Sequence, residues 1–426
     1  MAVRRPLLRI PYTEVFAAPR IIPRHATTPS AAVEALSAFM TAPPRPGLPS
    51  STVVLTGAGL SVASGLADYR GENGTYRVNK TYRPIYFHEF LASHEARKRY
   101  WARSFLGWTT LHEAKPNTSH YALRDLGRLG YVHSVITQNV DSFHHAAHPD
   151  LPSTVELHGY LRATVCTTCY REYPRDTFQD ELARLNPIWA EFLADAIAAG
   201  AFAPEDPTTE APARREPASL SAIRGVRTNP DGDVDLPNAP YTTFRYPPCA
   251  HCLANPPVAD DGTTMAVEVD ADGAWALPHT SNQTDCGTNV RFPGILKPAV
   301  IMFGESISPS AKHAAEAAVD GAGRLLVLAT SLATYSAWRL AKRAKDRGMP
   351  IAVVNVGGVR GEDAFFADLD DNQPGAAGVR VEVPTDAVLP PLVDELHRLA
   401  PGGVYQQGTG HGTSQVDPAL FRDMLS

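Results

Sequence analysis

Val53-Val-Leu-Thr-Gly-Ala-Gly-Leu-Ser-Val-Ala-Ser-Gly-Leu-Ala-Asp-Tyr-Arg-Gly71 decides how the chain is read. Val53, Val54 and Leu55 make a short apolar run that fits a strand buried on both faces. Thr56-Gly57-Ala58-Gly59 breaks it, and small residues continue from Ser61 to Gly65. Glycines let backbone approach a bulky ligand, and the free N–H groups of a helix start favour phosphate. Strand, glycine turn and helix start is how a doubly wound sheet begins a dinucleotide site. The third glycine of G-x-G-x-x-G is replaced by Val62, so a plain tight turn is the competing reading. Asp68, Tyr69 and Arg70 favour a ligand site, because polar side chains behind a glycine turn need partners if buried.

Outward from this turn the same alternation recurs. Thr118–Leu129 reads as a helix ended by Gly130, and Val132–Thr137 as the second strand. After an irregular middle, strands are expected at Ala299–Phe303, Leu325–Ala329, Ile351–Val356 and Val379–Val383. Helices are expected at Ser308–Asp320, Ser336–Arg347 and Pro390–Leu399. Apolar strands alternating with helices imply an α/β fold, a Rossmann-like doubly wound parallel sheet covered on both faces. Ser30 can cap a helix running to Met40, and helical spacing recurs between Phe87 and Phe105.

The expected organisation is a leader over 1–29, a helix and linker over 30–50, and a dinucleotide domain in three parts, 51–71, 116–160 and 293–400. A helical module at 72–115 and a small zinc-binding domain at 161–292 interrupt it, and 401–426 is a Gly- and Gln-containing tail expected to be mobile. Residues 1–29 carry Arg4, Arg5, Arg9, Arg20 and Arg24, no lysine, and Glu14 as the single acid. That composition suits a mitochondrial transit peptide and hence the matrix; a basic tail is the other reading, since Pro6 and Pro11 interrupt an amphipathic helix. The net charge of −6 gives no bulk attraction to nucleic acid, and no apolar run is long enough for a membrane span.

Cys166-Thr-Thr-Cys169 and Cys249-Ala-His-Cys252 use four of the five cysteines. Two such pairs can close a tetrahedral Cys₄ zinc site with no open position for water, which makes it structural. The stretch between the pairs far exceeds the usual ~15–20 residues, and a redox C-x-x-C or a nucleic-acid zinc ribbon are the alternatives. Cys286 remains as a lone thiol.

Gln138, Asn139 and Asp141 follow the second strand, where α/β sheets bind ligands, and can hydrogen-bond an amide and ribose hydroxyls. His158, in Glu156-Leu-His-Gly159, is the general-base candidate; a lone histidine is otherwise a structural or surface residue. His144, His145 and His148 cluster without a completing carboxylate, which favours a core or loop role.

With GAGLSVASGLADYRG, TQNVD, ELHG, the paired C-x-x-C, Phe303-Gly-Glu305, Thr330-Ser-Leu332 and Asn355-Val-Gly357 in order, the chain resembles the sirtuins over about Ser51–Leu399. Arg99–Trp108 and Asn229–Pro237 make it most similar to the class II, mitochondrial sirtuin-4 type. The resemblance implies an NAD-dependent protein lysine deacylase acting on acyl-lysine protein substrates, with zinc. It implies His158 as general base and Asn139 as its catalytic companion. Gly57, Ala58, Gly59, Ser61, Asp68, Tyr69 and Arg70 would line the NAD pocket. Gln138, Asn139 and Asp141 would hold the nicotinamide ribose and amide, and Thr330, Ser331 and Asn355 the adenosine half. The substrate would add as a strand between Gly304–Glu305 and Thr334–Ser336. An NAD-dependent mono-ADP-ribosyltransferase shares every motif, and a non-enzymatic NAD sensor is a third reading, disfavoured by the presence of His158 and Asn139.

The sequence departs from the usual pattern at Gly65-Leu-Ala67 for Gly-Ile-Pro, at Ala329 for glycine, and at Ser142-Phe143 for Gly-Leu. Residues Leu253–Phe292 exceed the expected length. Tyr100 and Arg103 have a Y-x-x-R spacing that resembles one a related sirtuin branch uses to grip acidic acyl groups, and the resemblance implies that role against the blander reading of helix packing and a structural arginine.

Overall fold

The computed structural model describes residues 16–80, 82–150, 153–200, 228–259, 261–277 and 292–399. Residues 1–15 of the expected leader, Cys286 and the tail from 401 lie outside them. The strands are β1 Thr52–Thr56, β2 Val132–Thr137, β3 Thr154–Glu156, β4 Gly159–Cys166, β5 Glu172–Pro174, β6 Leu296–Val300, β7 Arg324–Leu328, β8 Ile351–Val354 and β9 Gly378–Val381. Two compact units result. One takes in the described residues up to Tyr82, Lys115–His158 and those from Ile307 on; the other takes in Arg83–Ala114 and Gly159–Ser306.

In the first unit the order β3-β2-β1-β7-β8-β9 is parallel throughout. This is the doubly wound order, three strands outward one way and three the other, with the reversal between β1 and β7. Alternating side chains feed two cores. Val54, Val135, Leu326, Leu328 and Val354 face helices Pro29–Thr41, Thr118–Arg128 and Leu389–Leu399. Val53, Leu55, Ile136, Leu325, Val327 and Val353 face Pro309–Asp320 and Tyr335–Asp346. Each fully buried Val or Leu contributes about 1.5–3 kcal/mol, so coverage of both faces explains the continuous apolar strands. The first helix begins one residue before Ser30, with Pro29 at its first turn and Thr28 as the cap. After β1 the chain forms a 3-10 turn over Ala58–Ser64 rather than an α-helix.

The second unit corrects one expectation. The strand expected at Ala299–Phe303 lies at Leu296–Val300 and pairs antiparallel with β4 in a three-stranded sheet, β5-β4-β6, not in the large parallel sheet. All five residues are buried, yet Pro298 suits the edge position that β6 takes in this small sheet. The helical module and the cysteine-bearing segment therefore share one unit, which also contains helices Phe87–Ala92, His94–Glu113, Arg175–Leu185 and Pro187–Ala198. The long stretch after Cys252 is anchored by Trp275, which stacks on Tyr246 at 6.0 Å and lies under the Arg97 guanidinium at 4.7 Å.

Part of the segment expected as a leader over 1–29 is described and packed. Ile22 is fully buried and pairs with Arg380 on β9, so the residues just before the first helix belong to the folded unit. Composition could not show this, because the pairing partner is remote in sequence.

Candidate functional site

The strand ends at the β1/β7 reversal bring the glycine turn against the loop after β7. Gly57 N–H donates to the Leu328 carbonyl at 3.2 Å and Gly59 N–H to the Ala329 carbonyl at 3.2 Å. A Cβ on Gly57 would sit 2.6 Å from Thr330 Cβ, so that position needs glycine for close approach, and one on Gly59 would be tight at 3.0 Å from the Ala329 carbonyl. Ala329 itself holds φ +50°, and Ser142 holds φ +64°. Both stand where the sirtuin pattern has glycine, and each costs of order 1 kcal/mol of backbone strain.

Side chains from the ends of β1, β2 and β7 then interlock. Gln138 Nε2 donates to the Thr56 carbonyl at 3.1 Å and to Thr330 Oγ1 at 2.9 Å, while Thr334 Oγ1 donates to Gln138 Oε1 at 3.0 Å. Asn139 Nδ2 donates to Ser61 Oγ at 3.1 Å, and Ser61 donates to Asp141 Oδ2 at 2.6 Å. Asp141 Oδ1 accepts the Phe143 N–H at 2.9 Å. Burial raises the Asp141 pKa, against the pull of these hydrogen bonds. These hydrogen bonds tie Gln138 to Thr330 and Asn139 to Ser61 and Asp141.

His158 hangs from the segment after β3. Its Nδ1 lies 3.1 Å from the Gln138 carbonyl and its Nε2 2.8 Å from Ser336 Oγ. A carbonyl only accepts, so Nδ1 carries the proton and Nε2 presents its lone pair. Burial pushes the His158 pKa down to about 4, partly offset by the Gln138 carbonyl. The ring is therefore neutral near pH 7, an acceptor at Nε2 that is already oriented. Ser336 was not singled out as its partner from sequence; nothing local marks a hydroxyl so far along the chain.

Asp68, Tyr69 and Arg70 form a second patch in the same unit. Asp68 Oδ1 accepts the Gly71 N–H at 2.8 Å, Tyr69 stacks on Tyr76 at 5.4 Å, and the Arg70 guanidinium lies 5.0 Å over the Tyr76 ring. Burial raises the Asp68 pKa and lowers that of Arg70, so both charges are held with incomplete solvation. Asn355 closes the loop after β8, its Nδ2 donating to the Val356 and Gly357 carbonyls at 3.0 and 2.9 Å. Ala58 and Ser331 sit half-buried beside Gly57 and Thr330 in sequence, with the Ser331 carbonyl accepting the Arg360 N–H at 2.9 Å.

The histidine cluster is a buried stack. His144 Nε2 is 3.0 Å from Thr56 Oγ1, and its Nδ1 is 3.0 Å from His148 Nε2. His120 packs edge-on at 5.0 Å from His144, whereas His145 is exposed. Burial pushes His120 to about 3 and His148 to about 4, and holds His144 well below its ordinary value. The stack is a neutral prop beneath the end of β1, which agrees with the core role expected for His144 and His148.

In the second unit the four cysteines converge. Their Sγ atoms lie within 4.8 Å of one another, with Cys166–Cys252 at 3.7 Å and Cys169–Cys249 at 3.6 Å. A tetrahedron of Zn–S bonds of ~2.3 Å has edges of roughly 3.8 Å, so the donor set fits zinc. All four are free thiols. The N–H groups of Thr168 and Cys169 point at Cys166 Sγ, and the Cys252 N–H at Cys249 Sγ, as thiolate acceptors require. Tyr173 O–H adds a donor 3.1 Å from Cys249 Sγ. The structure decides the Y-x-x-R question for the blander reading. Arg103 is buried and paired with Asp233 at 2.5 Å, with Asp235 at 3.9 Å, so its charge is already answered inside the unit.

Comparison with known proteins agrees with this geometry. The Sir2 family profile matches residues 57–336. The NAD-dependent protein deacylase SIR4 of Batrachochytrium dendrobatidis is 33% identical over 81% of this chain and 90% of its own. The NAD-dependent protein deacylase SRT2 of Arabidopsis thaliana is 34% identical over 74% of this chain and 68% of its own. The NAD-dependent protein lipoamidase sirtuin-4, mitochondrial, of Bos taurus is 29% identical over 75% of this chain and 78% of its own.

Proposed function

Because this chain belongs to the Sir2 family, we propose that it is an NAD-dependent protein lysine deacylase with His158 as its general base. The observation that carries the reading is the neutral, oriented His158 beside the Gln138–Thr330 and Asn139–Ser61–Asp141 web at the sheet's reversal point. When bound, NAD would supply the anomeric carbon on which the acyl oxygen replaces nicotinamide, and one water consumed would balance the release of free lysine and acyl-ADP-ribose.

The chain's residues have distinct tasks in this reading. Asp141, Asn139 and Gln138 orient the nicotinamide end. Gly57, Ala58, Gly59 and Ser61 line the approach, and Asp68, Tyr69 and Arg70 close it. Thr330, Ser331 and Asn355 hold the adenosine end. His158 Nε2, with Ser336 as its resting partner, takes a proton from a ribose hydroxyl. The charge it gains is stabilised through Nδ1 by the Gln138 carbonyl. Zinc, held by Cys166, Cys169, Cys249 and Cys252, keeps the second unit folded and has no position left for water.

Two finer points go with this. The acyl group need not be acidic, since Arg103 is engaged by Asp233. The arginine-rich start and the mitochondrial name of one relative support the matrix as the site of action. The test is His158→Ala against wild type with NAD and acyl-lysine peptides. Loss of about 10²–10⁴ in rate with NAD binding retained is expected; unaltered turnover would refute the assignment.

A further inference from the structure

We infer that residues 16–26 are a strap that positions the Asn355 loop for the cofactor and remains on the working protein. This rests on the proposed role of Asn355. β9 is the outermost strand of the parallel sheet, and its free edge would be open to solvent and to stray pairing. Ile22 closes that edge. Its N–H donates to the Arg380 carbonyl at 2.9 Å, and the Arg380 N–H returns to the Ile22 carbonyl at 2.7 Å. The Ile22 side chain is fully buried in the core that also holds Val353 and Phe366.

The residue it pins matters. Arg380 is fully buried and forks over the loop after β8. Its Nη1 donates to the Asn355 carbonyl at 3.0 Å, its Nη2 to the Gly357 carbonyl at 2.6 Å, and its Nε to Glu362 Oε2 at 2.8 Å. The strap touches the same loop directly. A Cβ on Gly358 would overlap the Ala17 carbonyl and sit 2.7 Å from Phe16 Cβ, so this position accepts the strap only as glycine. Arg20 Nη2 donates to the Phe366 carbonyl at 2.6 Å, and the Arg24 N–H donates to the Asp371 carbonyl at 2.7 Å. Strap, Arg380 and Asn355 loop thus form one hydrogen-bonded unit, and a leader removed on import ends before Phe16.

The experiment uses the full chain with Ile22→Asp, Ile22→Val as the conservative rescue, and a shortened form lacking residues 1–28. Isothermal titration gives NAD affinity, steady-state kinetics give KM for NAD and for an acyl-lysine peptide separately, and amide exchange reports Arg380 and Asn355. Ile22→Asp and the shortened form should weaken NAD at least about tenfold, equivalent to ~1.4 kcal/mol, and speed exchange at both amides. KM for the peptide should stay within about twofold, and Ile22→Val should restore wild-type values. Equal NAD affinity in Ile22→Asp and wild type overturns the strap, as does a parallel rise in both KM values. If the shortened form does not fold, Ile22→Asp alone decides. A wild-type protein that fails to bind NAD refutes the proposed function instead, and the exchange rates still read the strap.

Discussion

The histidine stack makes the first unit sensitive to acid in a calculable way. His120, His144 and His148 are buried and neutral, with pKa values far below the ordinary 6.5. An unfolded chain protonates them at that ordinary value, so it binds more protons than the fold as pH drops. Their contribution is complete above pH 6.5 and is lost as pH falls toward about 4. At pH 5.5 His120 and His148 each forfeit RT ln 11, about 1.4 kcal/mol, and His144 adds a loss in the same direction, against an ordinary stability of ~5–15 kcal/mol. Burial raises the pKa of Asp68 and Asp141, and those groups act in the opposite sense. A variant comparison removes their effect. His148→Gln deletes one titrating group, which Arg124 also disfavours charging. Urea unfolding at pH 7.5 and 5.5 should show the variant losing about 1.4 kcal/mol less than wild type across that interval. Equal losses in the two proteins would refute the reasoning, because the histidines would then be titrating alike in the folded and unfolded states.

Cys166→Ser leaves a thiolate cage one ligand short; since zinc can supply ~10–16 kcal/mol to such a module, the variant should lose metal and protease resistance together, read by metal analysis and limited proteolysis. Arg103→Met leaves the buried Asp233 carboxylate without its cation, with the Asn229 amide still donating to it at 2.8 Å, and should cost ~3–5 kcal/mol of stability in chemical denaturation while lowering turnover of acidic and neutral acyl-lysines equally. Ala329→Gly relieves a left-handed alanine and should leave stability within about 1 kcal/mol of wild type, the relief of strain being offset by the flexibility of glycine in the unfolded chain, with any change in NAD affinity read by titration.

Much of the fold could be read from periodicity alone where local pattern and tertiary role coincide. Val132–Thr137 is a strand over the expected residues, and Thr118, Ser308 and Leu399 lie at or next to expected helix ends. In the first unit Gln138 meets Thr330 and Asn139 meets Ser61, and in the second unit the paired cysteines converge on one another. What failed was information held by distant partners. The apolar run from Ala299 does not reveal which sheet it joins, and β6 itself starts earlier, at Leu296, and includes Lys297 and Pro298. Thr154–Glu156 is a three-residue edge strand, too short for a pattern to show. Helices Arg175–Leu185 and Pro187–Ala198 were submerged in a segment read as irregular. The arginine-rich start reads as uniform because its composition does not show that Ile22 and Pro23 are buried between the exposed Arg20 and Arg24.

The most direct test of the central claim is product analysis by mass spectrometry after incubating the protein with NAD and a panel of acyl-lysine peptides. The account predicts, for at least one acyl group, equal amounts of free lysine peptide, nicotinamide and acyl-ADP-ribose, all lost together in His158→Ala. Nicotinamide release with the acyl-lysine intact and ADP-ribose attached to protein would contradict it and assign the same pocket to ADP-ribosyl transfer.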